Sequence, residues 1–208
     1  MKRFFTAVPL QVGDNLKEYR YQAADNEKLQ PDCATAFPIV AAISGYTAPG
    51  ESFAVVAALP DSEPGRANFE RLRGELDALC VRRGLSAPTI EGLVYREDQR
   101  VGAMAELFLR LCDQIGDDDE LFACMTYGTK PVSTALMLAM QYGHRAKRNV
   151  TIDGIVYGEI VRPSKDPATW EPRIYDETGL VQLGETARLL SESGVRDPSA
   201  AIRGLLGL

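Results

Sequence analysis

The stretch Leu121-Phe122-Ala123-Cys124-Met125-Thr126-Tyr127-Gly128-Thr129-Lys130-Pro131 decides how the chain folds. An apolar run leads into a short polar segment. A second apolar run follows it, with Leu136, Met137, Leu138 and Met140 in a helix-like pattern. The order is strand, tight turn, helix. Such a turn leaves backbone N–H groups at the helix start, where the helix dipole favours anions. The hydroxyls of Thr126 and Thr129 flank Gly128, and Lys130 stands at the helix entrance, so a phosphate would find several donors there. Gly128 lets backbone and ligand approach closely. The spacing is neither the GxxxxGK[ST] of a P-loop nor GxGxxG.

The same alternation extends in both directions. Lys2 to Val8, Ser52 to Leu59, Thr89 to Tyr95, Phe122 to Met125 and Thr151 to Ile160 read as strands. The run from Ser52 is continuously apolar, as expected for a strand covered on both faces. Between them, Thr35 to Ser44, Phe69 to Cys80, Met104 to Leu111 and Thr134 to Tyr142 read as helices, the second stopped by Gly84. Tyr19 to Ala23 is an extended or irregular piece. Trp170 to Asp176 is expected to fold back as a hairpin arm, and Leu180 to Leu190 and Ala200 to Leu206 as closing helices. Strands alternating with helices imply βαβ units. The fold expected is α/β: a Rossmann-like, mainly parallel sheet flanked by helices, with a C-terminal β-hairpin and helix extension over about 162–208. Residues 1–208 are expected to form a single domain.

The net charge of −6 argues against a protein that coats duplex nucleic acid, which needs a basic face. Cys33, Cys80, Cys112 and Cys124 form no CxxC pair, and His144 is the only histidine, so neither a metal site nor a cofactor is expected. The thiols read as buried, free side chains of a cytoplasmic protein. No run is long and apolar enough for a membrane span. Met1 to Val8 is read as a first strand because Asp14 and Lys17 follow too early for a signal peptide.

In a parallel sheet, ligands bind beyond the carboxyl ends of the strands. That rule collects the turns Pro9-Leu10-Gln11, Pro60-Asp61-Ser62, Arg96-Glu97-Asp98, Thr126 to Lys130 and Tyr157-Gly158-Glu159. The strand followed by Thr126-x-Gly128-Thr129-Lys130 and an apolar helix resembles the T-G-G-T-K signature of the CRISPR-associated Rossmann-fold (CARF) sensor domains. Tyr127 stands where that signature has glycine. Val150 to Gly158 resembles a strand ending in Tyr-Gly found in one branch of the family, and Asp176-Glu177-Thr178 resembles that branch's closing segment. The resemblance spans about Phe122 to Leu208 by motif and the first half by element order.

The resemblance implies a cytoplasmic, prokaryotic, type III CRISPR-associated antiviral defence protein: a homodimeric receptor for a cyclic oligoadenylate. It implies ligand contacts from Thr126, Gly128, Thr129 and Lys130, and from the first-strand turn containing Pro9, Leu10 and Gln11. Tyr127 is either a packing residue or a base-stacking platform, and Tyr157 either core or ligand-facing. Thr126 also suits a helix N-cap, and Lys130 alternatively sits on a solvated rim. Some family members open the ring, so a metal-independent ring nuclease is the alternative, with Lys130 stabilising developing charge. An unrelated mononucleotide-binding protein is the further alternative. Family sensors often carry a C-terminal nuclease effector, for which this sequence leaves no room. His144 and Asp117 to Glu120 read as a helix-end charge and a solvated turn.

Overall fold

The computed structural model describes residues 1–207. In chain order the elements are β1 (Lys2–Ala7), β2 (Gln22–Ala23), α1 (Ile39–Tyr46), β3 (Phe53–Pro60), α2 (Glu63–Arg83), β4 (Thr89–Tyr95), α3 (Val101–Cys112), β5 (Glu120–Cys124), α4 (Lys130–Ala146), β6 (Thr151–Val161), β7 (Glu171–Asp176), α5 (Thr178–Glu192) and α6 (Pro198–Leu206). All seven strands form one sheet in the order β2-β7-β6-β5-β1-β3-β4. Its central strands are parallel, and β7 folds back antiparallel to β6. The fold is α/β and Rossmann-like, with the expected hairpin and helix extension.

β3 is buried along its whole length, because its FAVVAALP sequence lies inside the sheet with both faces covered. Side chains alternate between the two faces. On one face Phe4 stacks on Phe122 at 4.6 Å and meets Phe53 edge-on at 5.8 Å. Ile39 and Ile43 of α1 and Leu72, Leu76 and Leu79 of α2 join that cluster. On the other face α3 and α4 pack on each other and on β1, β4 and β5. At Gly143 of α4 an added Cβ would lie 2.9 Å from Ile115 and 3.1 Å from Leu121, so the helix sits close on the sheet.

Helix boundaries follow local chemistry. The Ser62 hydroxyl accepts the Gly65 N–H at 3.2 Å and caps α2, while Gly84 closes it in the left-handed conformation at φ +65°. α1 starts four residues later than its apolar pattern suggests. Thr35 to Phe37 are held in a turn instead: the Thr35 hydroxyl accepts the Phe37 N–H at 2.9 Å, and the Glu75 carboxylate accepts the Ala36 N–H at 3.2 Å.

Tyr157-Gly158-Glu159 is not a strand-end turn. β6 continues to Val161 because β7 supplies a ladder beside it, pairing Tyr157 with Tyr175. Tyr157 is an exposed mid-strand residue. Gly158 is required by close approach, since a Cβ there would lie 2.5 Å from Pro38.

The chain divides into two compact units, Met1–Asp176 and Glu177–Leu208. The first holds the sheet. In the second, α5 and α6 pack together, and the Asp197 carboxylate accepts the Ala200 N–H at 2.9 Å to cap α6. Among the described residues no helix is long and apolar enough to cross a membrane.

Candidate functional site

β1 lies between β3 and β5. The chain builds outward from β1 through β3 to β4, then returns to the opposite side of β1 as β5. The carboxyl ends of β1 and β5 therefore flank the point where strand order reverses, the place at which such sheets hold ligands. A cleft of about 390 Å³ opens there, lined by Val8, Pro9, Leu10, Gln11, Tyr95, Thr126, Tyr127, Gly128 and Thr129. The turns after β1 and β5, 117 residues apart in sequence at Pro9 and Thr126, form its walls.

Each wall is fixed from beneath. Asn68 of α2 is buried, and its side-chain amide donates to the Pro9 and Gln11 carbonyls, both at 2.8 Å. Because both partners are carbonyl oxygens, the group facing them must be the amide nitrogen. On the other wall the Tyr127 hydroxyl donates to the Ala36 carbonyl at 2.6 Å, and its ring meets Phe37 edge-on at 6.3 Å. Burial, reinforced by Cys124 and Glu75, pushes the phenol far above its ordinary range, so it remains a donor. The same short segment is held on its other side by Glu75.

Thr126 is not the N-cap. Its hydroxyl accepts the Gly158 N–H at 2.7 Å and lies 3.2 Å from the Cys124 thiol, tying the turn to β6. Burial pushes the Cys124 thiol up, so it stays neutral. Thr129 occupies the cap position of α4, but its hydroxyl donates to Gln99 at 2.6 Å instead of capping the helix. Gly128 has φ +95°, and a Cβ on it would stand 2.9 Å from the Ala7 Cβ. Glycine is therefore demanded by the backbone and by close approach to β1.

The turns thus bring together Pro9, Leu10, Gln11, Thr126, Tyr127, Gly128 and Thr129. Lys130, the first residue of α4, is exposed and lines a neighbouring apolar groove between α3 and α4. Tyr157 lines neither cavity. Two residues were missed by sequence reasoning: Tyr95 in the cleft and Asn68 beneath it. Tyr95 carries one legible signal, its place at the carboxyl end of a strand. Asn68 carries none, since its spacing on α2 looks like an ordinary neighbour of Phe69.

The nine lining residues include no charged side chain. The cleft offers hydroxyls, backbone groups and the positive end of α4, a set suited to a phosphate diester held by neutral donors. Among the described residues no group of three or more His, Cys, Asp or Glu side chains is placed to hold a metal ion. No protein-family model matches the chain, and no curated protein matches it.

Proposed function

We propose that this chain is a CARF-like receptor for a cyclic oligoadenylate, acting as a homodimer in type III CRISPR defence of a prokaryotic cell. The observation that carries the reading is the cleft at the strand-order reversal. It is walled by the Thr126-Tyr127-Gly128-Thr129 turn on one side and the first-strand turn on the other. These are the two segments that the family resemblance assigns to ligand. A ring of phosphate diesters has a twofold repeat, and a twofold dimer would present two such clefts to it. Val101 and Leu138 rim the groove between α3 and α4, with 85% and 49% exposure, and this apolar face beside the cleft is the surface a second copy would cover.

Isothermal titration with cyclic tetra-adenylate and cyclic hexa-adenylate, against AMP and NAD, tests the ligand. Chromatography of the recovered nucleotide tests for ring opening. One of the rings is expected to bind at about micromolar Kd or tighter, to be recovered intact, and to bind far better than AMP or NAD. NAD binding more tightly than either ring would replace the reading with a mononucleotide-binding one. Light scattering should give a dimer that Leu138→Asp weakens; a monomeric wild type with and without ring would remove the dimer.

A further inference from the structure

The cleft shares Tyr95 with a second cavity of about 450 Å³, formed by the ends of β3 and β4 and by α3. Asp61, Tyr95, Arg96, Asp98, Glu106 and Arg110 supply its polar lining. Tyr95 is only 7% exposed, yet its hydroxyl makes no hydrogen bond among the described residues. It is not sealed in either: the one enclosed side-chain polar atom without a partner there is the Thr47 hydroxyl. The Tyr95 hydroxyl is therefore reached by solvent, and the residue lines both cavities. A buried phenol left without a protein partner is one a ligand can satisfy.

The charged groups around it fall into two classes. Asp61 is paired with Arg66 at 2.9 Å, Asp98 with Arg100 at 2.6 Å, and Arg110 donates to the Val94 carbonyl at 2.5 Å. Arg96 and Glu106 make no side-chain hydrogen bond or ion pair among the described residues, and Arg96 acts on Asp98 only through its charge. The cavity thus offers an uncommitted guanidinium, an uncommitted carboxylate and a free phenol. Asp61 and Asp98 are already neutralised by their arginines, so the free carboxylate is Glu106, which a phosphate offers no proton to satisfy. A nucleobase edge, with an amino donor beside ring-nitrogen acceptors, matches a carboxylate beside a guanidinium. The neutral cleft next door has the opposite character and suits the phosphate.

We propose that this second cavity is the base subsite of the ligand whose phosphate lies in the cleft, with Tyr95 contacting the ligand at the junction. In this arrangement the Glu106 carboxylate accepts from the exocyclic amino group, and Arg96 donates to a ring nitrogen. The inference rests on the cyclic-nucleotide reading above. Burial beside Glu97 holds the Tyr95 phenol above its ordinary range, so the hydroxyl is protonated and able to donate.

The test titrates cyclic tetra-adenylate and cyclic hexa-adenylate into wild type, Tyr95→Phe, Glu106→Gln and Thr129→Ala, with the melting temperature of each protein measured alone. Tyr95→Phe is expected to weaken binding roughly 3- to 10-fold and Glu106→Gln roughly tenfold or more, as for a neutral and a charge-assisted hydrogen bond. Both variants should melt with wild type, since neither group has a protein partner to lose. Wild-type binding that weakens in Thr129→Ala but not in Tyr95→Phe or Glu106→Gln overturns the subsite and leaves the receptor reading standing. No binding by wild type overturns both. A clear drop in the melting temperature of Tyr95→Phe also overturns the proposal, because it shows that the hydroxyl is used inside the protein.

Discussion

Gly128→Ala puts a methyl group where neither the backbone nor the packing accepts one. The residue sits at φ +95°, and the new Cβ would lie 2.9 Å from the Ala7 Cβ and 3.2 Å from Val132 Cγ1. Ordinary Cβ contacts begin near 3.4 Å, so the turn must move by about half an ångström against a buried residue of β1. Holding a non-glycine residue at such a dihedral costs about 1–3 kcal/mol, and relieving the overlap adds about 1 kcal/mol. Alanine's smaller unfolded-state entropy returns about 0.4–1 kcal/mol. The net expectation is a loss of about 2–3 kcal/mol, or a fall in melting temperature of roughly 5–10 °C for a chain of this size. Gly74→Ala is the matched control. Gly74 lies exposed inside α2 with nothing within 4 Å of its ideal Cβ, so the same substitution should stabilise by about 0.5–1 kcal/mol. Urea unfolding followed by circular dichroism reads both. A Gly128→Ala protein within about 0.5 kcal/mol of wild type, or equal losses in the two variants, would refute the reasoning.

Three further perturbations probe the supports of the cleft. Asn68→Ala removes the amide that holds the Pro9 and Gln11 carbonyls and should cost about 1–3 kcal/mol in urea unfolding; a neutral result would mean that the first-strand turn does not need this anchor. Tyr127→Phe leaves the Ala36 carbonyl without its donor and should cost about 1–2 kcal/mol, so an unchanged urea midpoint would count against that bond. Burial holds the Glu75 carboxyl above its usual range despite donors from Thr35 and Ala36. The folded protein therefore keeps this proton at pH values where the unfolded chain has lost it, and stability falls as pH rises from the ordinary glutamate range through the raised folded value. Glu75→Gln should remove that part of the decline, and parallel pH slopes in wild type and variant would contradict it.

The strands and helices of the central sheet were legible because their signals are local. β4 lies between Pro88 and the charged Arg96, and α2 ends at a glycine in the left-handed conformation. The start of α1 lies later than its pattern suggests, and Tyr157-Gly158-Glu159 lies inside β6 and not at a rim turn, because distant partners set both. Glu75 holds the Thr35 turn across 40 residues, and β7 prolongs β6 beyond Gly158. The site divides in the same way. A glycine-centred turn at the carboxyl end of a parallel strand announces itself in sequence, so Thr126 to Thr129 and Pro9 to Gln11 could be named in advance. That β1 and β5 are neighbours is a property of strand order, which no short motif encodes. Asn68 reaches its partners across 59 and 57 residues, and those partners are backbone carbonyls that any residue type would present. Tyr95 alternates with Leu93 as an ordinary core position would; only the lack of a partner for its hydroxyl sets it apart. A neutral cleft built from backbone groups is thus seen in sequence by its glycine and its turn, while the residues that hold and extend it are found by asking where each buried polar atom is satisfied.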